Sequence, residues 1–270
     1  MDILSNFLLQ LVFTVGIVVV FGLIIAFARR MFCRLIGPAG PKILLLTGIV
    51  GTPIHELSHA IMCIIFGHRI TEMKLYQPNS DDGVLGYVAH TYNPRNIYHQ
   101  IGNFFIGVAP IIGGSGVLLL LMNLMLPDMF VDVLDQLSLL ENITTDFASI
   151  AGVFFDVFLK VIAIVFDFSY VGAFIWWAFI ILALMISSHM EVSSADIKSG
   201  VGGLCFIAVL LLIVDAILFF IDVSILEEVT FAMTGFSAVI IGFLGISAIF
   251  SAALIIIALI IRIVSKILGR

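Results

Sequence analysis

Long uninterrupted apolar runs constrain this chain more than any other feature. A helix needs about 20 apolar residues to cross the hydrocarbon core of a bilayer. Residues 6–28, 43–66, 101–126, 169–188, 201–221 and 237–261 each meet that length with few charges. A seventh run, 147–167, is apolar too, but it carries Asp156 and Lys160, spaced to pair on one helix face. The chain is 62% hydrophobic and 11% charged, whereas soluble domains are about half apolar and a quarter charged. These runs predict an all-α integral membrane protein with about six transmembrane helices. No repeat and no Pro- or Ser-rich linker divides it, so residues 1–270 read as a single polytopic membrane domain. The first run lacks a basic start, and Ala28-Arg29-Arg30 is no small-residue cleavage site. It reads as a retained helix, not a removable leader.

Two stretches interrupt the apolar pattern. In 67–99, MKLYQ, the turn signal NSDDG and VLGYVAHTY read as two strands around a turn. This predicts a small polar β-hairpin insert. Residues 127–146 are acidic and mixed. With the seventh run they predict a loop plus an interfacial or re-entrant helix over 127–168. The net charge of −6 is scattered with no basic stripe, which gives nucleic-acid binding no support. Cys33, Cys63 and Cys205 form no CxxC pair and read as small hydrophobes.

Against this background GTPIHELSHAIMCIIFG, residues 51–67, is anomalous. It places His55, Glu56 and His59 inside a membrane-length apolar run, where ionisable groups are costly and usually functional. The pattern is HExxH. On a helix, positions i and i+4 share a face, so the two imidazoles can hold one zinc ion. Glu56 can then take a proton from a water on the metal, whose pKa zinc lowers to about 7. Catalytic zinc usually has a third protein ligand. The segment ISSHMEVSSADIKSG, residues 186–200, offers His189, Glu191 and Asp196. Asp215, inside the next run, is the other contender, and reads more readily as a hydrogen-bonded core aspartate. His68 and His90 read as surface or interfacial residues, not ligands. Asn103 reads as a helix cap or a polar group near the membrane boundary.

HELSH within a transmembrane helix, a polar β-like insert, the Gly- and Pro-containing helix GNFFIGVAPIIGGSG, and an aspartate near the start of a later helix follow one another over about 43–200. In this order the chain resembles the site-2 protease family of intramembrane zinc metalloproteases, and within it the bacterial multi-pass members. The resemblance implies hydrolysis of peptide bonds in or beside the bilayer of a bacterial plasma membrane. The implied partner is a transmembrane protein substrate. It implies zinc held by His55, His59 and Asp196, with Glu56 as general base. Family members commonly set that aspartate in LDG or NPDG; here it stands in SADI. Leu85-Gly86-Tyr87-Val88 could offer a strand edge that holds an unwound substrate, or be a plain hairpin.

A shared ion imposes a parity rule. The end of the HExxH helix at 67 and the loop at 189–199 must lie on one side, so an even number of crossings separates them. Runs 101–126 and 169–188 supply these, which leaves 147–167 as a non-crossing piece and six spans in all. Arg262, Lys266 and Arg270 place the C-terminus in the cytoplasm. The N-terminus and the insert follow, and the acidic loops 127–146 and 222–236 fall outside. Arg29, Arg30, Arg34 and Lys42 then also fall outside, against the same rule. The rival readings are a membrane zinc hydrolase of lipidated or small substrates, and a non-enzymatic membrane protein with a structural metal site.

Overall fold

The structure, a computed structural model, describes residues 3–80, 83–139 and 147–267. Helix α1 (Ile3–Leu11) passes through a π-helical stretch at Val12–Gly16 into α2 (Ile17–Ile36). Gly37 ends α2 with φ +68°, a left-handed conformation that glycine adopts without strain. A short 3-10 turn then leads into α3 (Gly40–Ile65). The corner is tight: a Cβ on Gly40 would lie 3.3 Å from the Cys33 carbonyl oxygen. Beyond it the chain doubles back, because Arg29 in α2 and Gly51 in α3 both reach the segment 189–191.

After α3 comes an antiparallel pair, β1 (Arg69–Lys74) and β2 (Tyr87–Thr91). The register runs from Arg69 opposite Thr91 to Lys74 opposite Tyr87, with a bulge between Ile70 and Glu72. Pairing extends past the strands, since Gln77 N–H donates to the Leu85 carbonyl at 2.7 Å. The hairpin is tied to the membrane body by the Tyr76 hydroxyl, which donates to the Leu45 carbonyl at 2.6 Å. Asn96 caps α4 (Ile97–Met125), its side chain accepting from Tyr98 N–H at 2.9 Å. Asn103, for which a cap is one of two readings of the sequence, is not the cap and lies buried in the second turn of α4.

The remaining helices are α5 (Pro127–Ser138), α6 (Phe147–Val165), α7 (Phe174–Ser187), α8 (Ser194–Ile221) and α9 (Val223–Ile267). In α6 Lys160 and Asp156 do pair, at 2.8 Å. Val157, Val161 and Val165 form its buried face, and Phe158 packs over Gly245 of α9. The run 169–188 is not one helix. A 3-10 turn at Phe168–Gly172 and an extended Ala173 precede α7, which is only 14 residues long. The expected acidic loop at 222–236 is also replaced by helix: Asp222 alone separates α8 from α9, and its carboxylate accepts from Ser224 N–H at 2.8 Å. Glu227 and Glu228 therefore ride on a helix, although their charge suggests a loop.

Among the described residues, four helical stretches are long and apolar enough to cross a membrane: Ile3–Ile65, Ile97–Met125, Ser194–Ile221 and Val223–Ile267. Large apolar side chains stand exposed along them, among them Phe27, Leu46, Ile64, Leu124, Val209 and Phe220. Water would penalise so much contiguous apolar surface, whereas lipid does not. Among the described residues the chain is an all-α membrane protein with one small two-stranded sheet. Its helices approach closely through glycines, as apolar packing in lipid favours. A Cβ on Gly203 of α8 would lie 2.5 Å from the Phe104 nitrogen of α4, and one on Gly51 of α3 would lie 2.5 Å from the Met185 oxygen of α7.

Candidate metal centre

His55 and His59 lie one turn apart on α3, and their Nε2 atoms face each other at 3.1 Å. What aims them is main chain from the second half of the molecule and from α4. His55 Nδ1 lies 2.6 Å from the His189 carbonyl, and His59 Nδ1 lies 2.7 Å from the Ile106 carbonyl. A carbonyl can only accept, so each Nδ1 carries the hydrogen. In the neutral rings both Nε2 atoms are then bare lone pairs directed at one another. Two such lone pairs at 3.1 Å repel unless a positive species, a proton or a metal ion, sits between them. An N–H donated to a carbonyl is also the usual outer support of a metal-bound histidine.

Asp196 completes the group. Its Oδ1 lies 3.7 Å from His59 Nε2, and the three ligand atoms lie within 4.8 Å of one another. Ligands about 2.1 Å from a tetrahedral ion stand about 3.4 Å apart, close to the 3.1 Å between the two imidazoles and the 3.7 Å from His59 to Asp196. The aspartate is held from two sides. It belongs to a capping box at the start of α8, where Oδ2 accepts from Ser193 N–H at 3.0 Å and Ser193 Oγ accepts from Asp196 N–H at 3.1 Å. Its backbone meanwhile presses on α4, where a Cβ on Gly107 would lie 2.7 Å from the Asp196 carbonyl oxygen. The residue that receives His59, Ile106, thus precedes the glycine that admits Asp196.

The other contenders go elsewhere. The His189 ring points to Thr47 Oγ1, 2.9 Å from Nε2, and to Thr52 Oγ1, 3.4 Å from Nδ1. Only its carbonyl serves the cluster. Glu191 forms an ion pair with Arg29 of α2. Asp215 accepts from Gln10 Nε2 at 3.0 Å, and that amide also donates to Thr230 at 2.9 Å. It joins α1, α8 and α9, as the core-aspartate reading expected.

Glu56 is buried at 5% exposure beside His55. It lines a cavity of about 400 Å³ with Thr52, Arg29, Glu191 and the hairpin segment Gly83–Gly86. Gly86 roofs the carboxylate closely: a Cβ there would lie 2.7 Å from Thr52 Cγ2 and 2.8 Å from Glu56 Cγ. The larger cavity, about 940 Å³, is apolar and does not include His55 or Glu56. Sequence reasoning did not place Arg29, Thr52 or the two carbonyls at the site. Arg29 carried a signal, as a charge at the end of a membrane-length helix. The carbonyls carried none, because every residue has one. Comparison with known proteins finds no matching protein family, no matching curated protein and no matching solved structure.

Proposed function

We propose that this chain is a zinc-dependent intramembrane endopeptidase, cutting peptide bonds of membrane-embedded or membrane-proximal protein substrates. The observation that carries the reading is the convergence of His55, His59 and Asp196 beside Glu56, with both imidazoles anchored through Nδ1. Zinc held there would polarise a scissile carbonyl and make water acidic enough to attack it at neutral pH. Glu56, beside the ion, would serve as the base for that water and then as the acid for the leaving nitrogen. Gly83–Gly86 lies over the same cavity. A substrate entering it as an extended chain passes beneath that segment, which limits water access. In this reading α2, α3, α4, α7, α8 and α9 are six crossings of a bacterial plasma membrane, with α7 borrowing the turn before it to reach the far side.

Cleavage of a transmembrane peptide by the purified chain in lipid, lost with a zinc chelator and restored by zinc, is the expected result. Intact peptide under all conditions refutes the endopeptidase. One observation favours a second reading, hydrolysis of lipidated substrates. The 940 Å³ apolar cavity adjoins α3 at Met62 and has room for an acyl or prenyl chain. Cleavage of lipidated peptides with helical peptides left intact would select it.

The packing of Gly107 makes a further prediction. Gly107→Ala pushes the first turn of α8 away from α4 and withdraws Asp196, so zinc affinity falls ~10–100-fold, the usual effect of disturbing an outer support. Competition with a chromophoric chelator measures it. Gly116→Ala, on the same helix with open space around its Cβ position, leaves the affinity unchanged.

A further inference from the structure

One turn beyond His59 on α3 lies a second set of donors that the peptidase reading does not use. Cys63 is fully buried, His68 is buried at 5% exposure, and His90 is half-buried. One ligand atom from each lies within 4.8 Å of the others. The sequence places His68 at the surface or the membrane interface, and the structure buries it. The chain reversal after α3 is what brings it in. Gly67 takes φ +69°, Gly67 N–H donates to the Ile64 carbonyl at 3.2 Å, and His68 N–H donates to the Cys63 carbonyl at 2.8 Å. This is a Schellman end, and the bond from His68 N–H, which spans more residues, sets His68 directly beside Cys63.

The orientation of the rings repeats the logic of the first cluster. His68 Nε2 lies 2.9 Å from the His99 carbonyl, so Nε2 holds the hydrogen and Nδ1 is the free lone pair. That Nδ1 faces His90 Nδ1 at 3.1 Å. Tyr92 stacks on the His68 ring at 4.8 Å between centroids, which fixes its plane.

We propose that Cys63, His68 and His90 form a second metal site, taking zinc or a similar late transition ion and pinning the hairpin to the end of α3. One thiolate and two imidazoles suit such ions and not calcium or magnesium, which take oxygen ligands. Three protein donors leave a fourth position for water or a further ligand. The mechanical consequence follows from connectivity. His90 sits in β2, four residues after Gly86, which roofs Glu56. A metal bond from His90 to α3 therefore fixes the height of that roof. The assignment does not depend on the peptidase reading.

The test exploits the sulfur. In the 270-residue chain with Cys33→Ser and Cys205→Ser, Cys63 is the only thiol of the original three. Titration with cobalt(II) is expected to give a near-ultraviolet thiolate-to-cobalt charge-transfer band. The His55, His59 and Asp196 cluster has no sulfur and cannot produce one. The band persists when His55 and His59 are both replaced by alanine, and disappears with Cys63→Ser together with one equivalent of bound zinc. Absence of the band in the single-cysteine protein, or its loss with His55 and His59, overturns the proposal. The single-cysteine protein keeps every proposed ligand, so its spectrum decides the matter even where a ligand variant fails to fold.

Discussion

Glu56→Gln is expected to keep its zinc and lose cleavage by ~10²–10⁴-fold, the usual share of a positioned acid–base group. The exchange is nearly isosteric, so the packing of the side chain under Gly86 and against Thr52 is undisturbed. His55 and His59 keep their carbonyl partners, because neither bond involves residue 56. What changes is the ability to accept a proton. An amide oxygen is too weak a base to take one from water, so the nucleophile is not generated and the leaving nitrogen goes unprotonated. Zinc content and turnover measured on the same preparation decide between the rival readings. Full zinc with no turnover marks Glu56 as the base. Full turnover excludes it. A chain that never turns over in either form, yet holds zinc tightly, fits a structural pin.

How much of this was legible in the sequence depends on what kind of information each feature needed. The HExxH group was, because both ring positions follow from helical periodicity alone. So were the hairpin, which NSDDG and the flanking strand residues announce, and the Asp156–Lys160 pair. The junction of α8 and α9 was not. Glu227 and Glu228 signal exposure, and exposure is compatible with loop or helix alike. The break before α7 was missed for the related reason that Phe168–Gly172 is apolar in composition but not α-helical in backbone. The residues alone shortlist Asp196 with His189 and Glu191, and only the family resemblance ranks it first. Contacts across the fold send the other two elsewhere, Glu191 to Arg29 and the His189 ring to Thr47, while Asp196 starts α8 against Gly107. Cys63 and His68 illustrate the limit from the other side. Each alone is unremarkable, and only the left-handed turn at Gly67 and the return of β2 bring them to His90.

Asp196→Ala is expected to weaken zinc binding by more than ~100-fold, beyond the loss that follows from disturbing an outer support, and to abolish cleavage with it. The alanine removes a negative ligand and leaves two neutral imidazoles to hold a dication. The same substitution removes one half of the capping box, since Asp196 Oδ2 no longer accepts from Ser193 N–H. That loss costs about 1 kcal/mol of helix stability, too little to unfold α8, whose first turns pack glycine-close on α4 at Gly200 and Gly203. Asp196→Asn separates the two effects. Its side-chain oxygen preserves the cap while the charge is gone, so the helix start stays intact and the zinc affinity still falls. Glu191→Ala and Asp215→Ala provide the contrast. Glu191 is committed to Arg29 and Asp215 to Gln10, so both variants retain zinc. Zinc analysis of the four proteins by atomic absorption, each carried on a Cys63→Ser background that empties the second proposed site, decides the assignment. Zinc lost only from the two Asp196 variants fixes the third ligand there, and zinc retained in Asp196→Ala removes Asp196 from the site and breaks the mechanism built on it. The contrast is sharp because α4 holds both partners at one point: its Ile106 carbonyl orients the His59 ring and its Gly107 admits the start of α8. A ligand taken from any other segment would leave that close crossing without a function in the site.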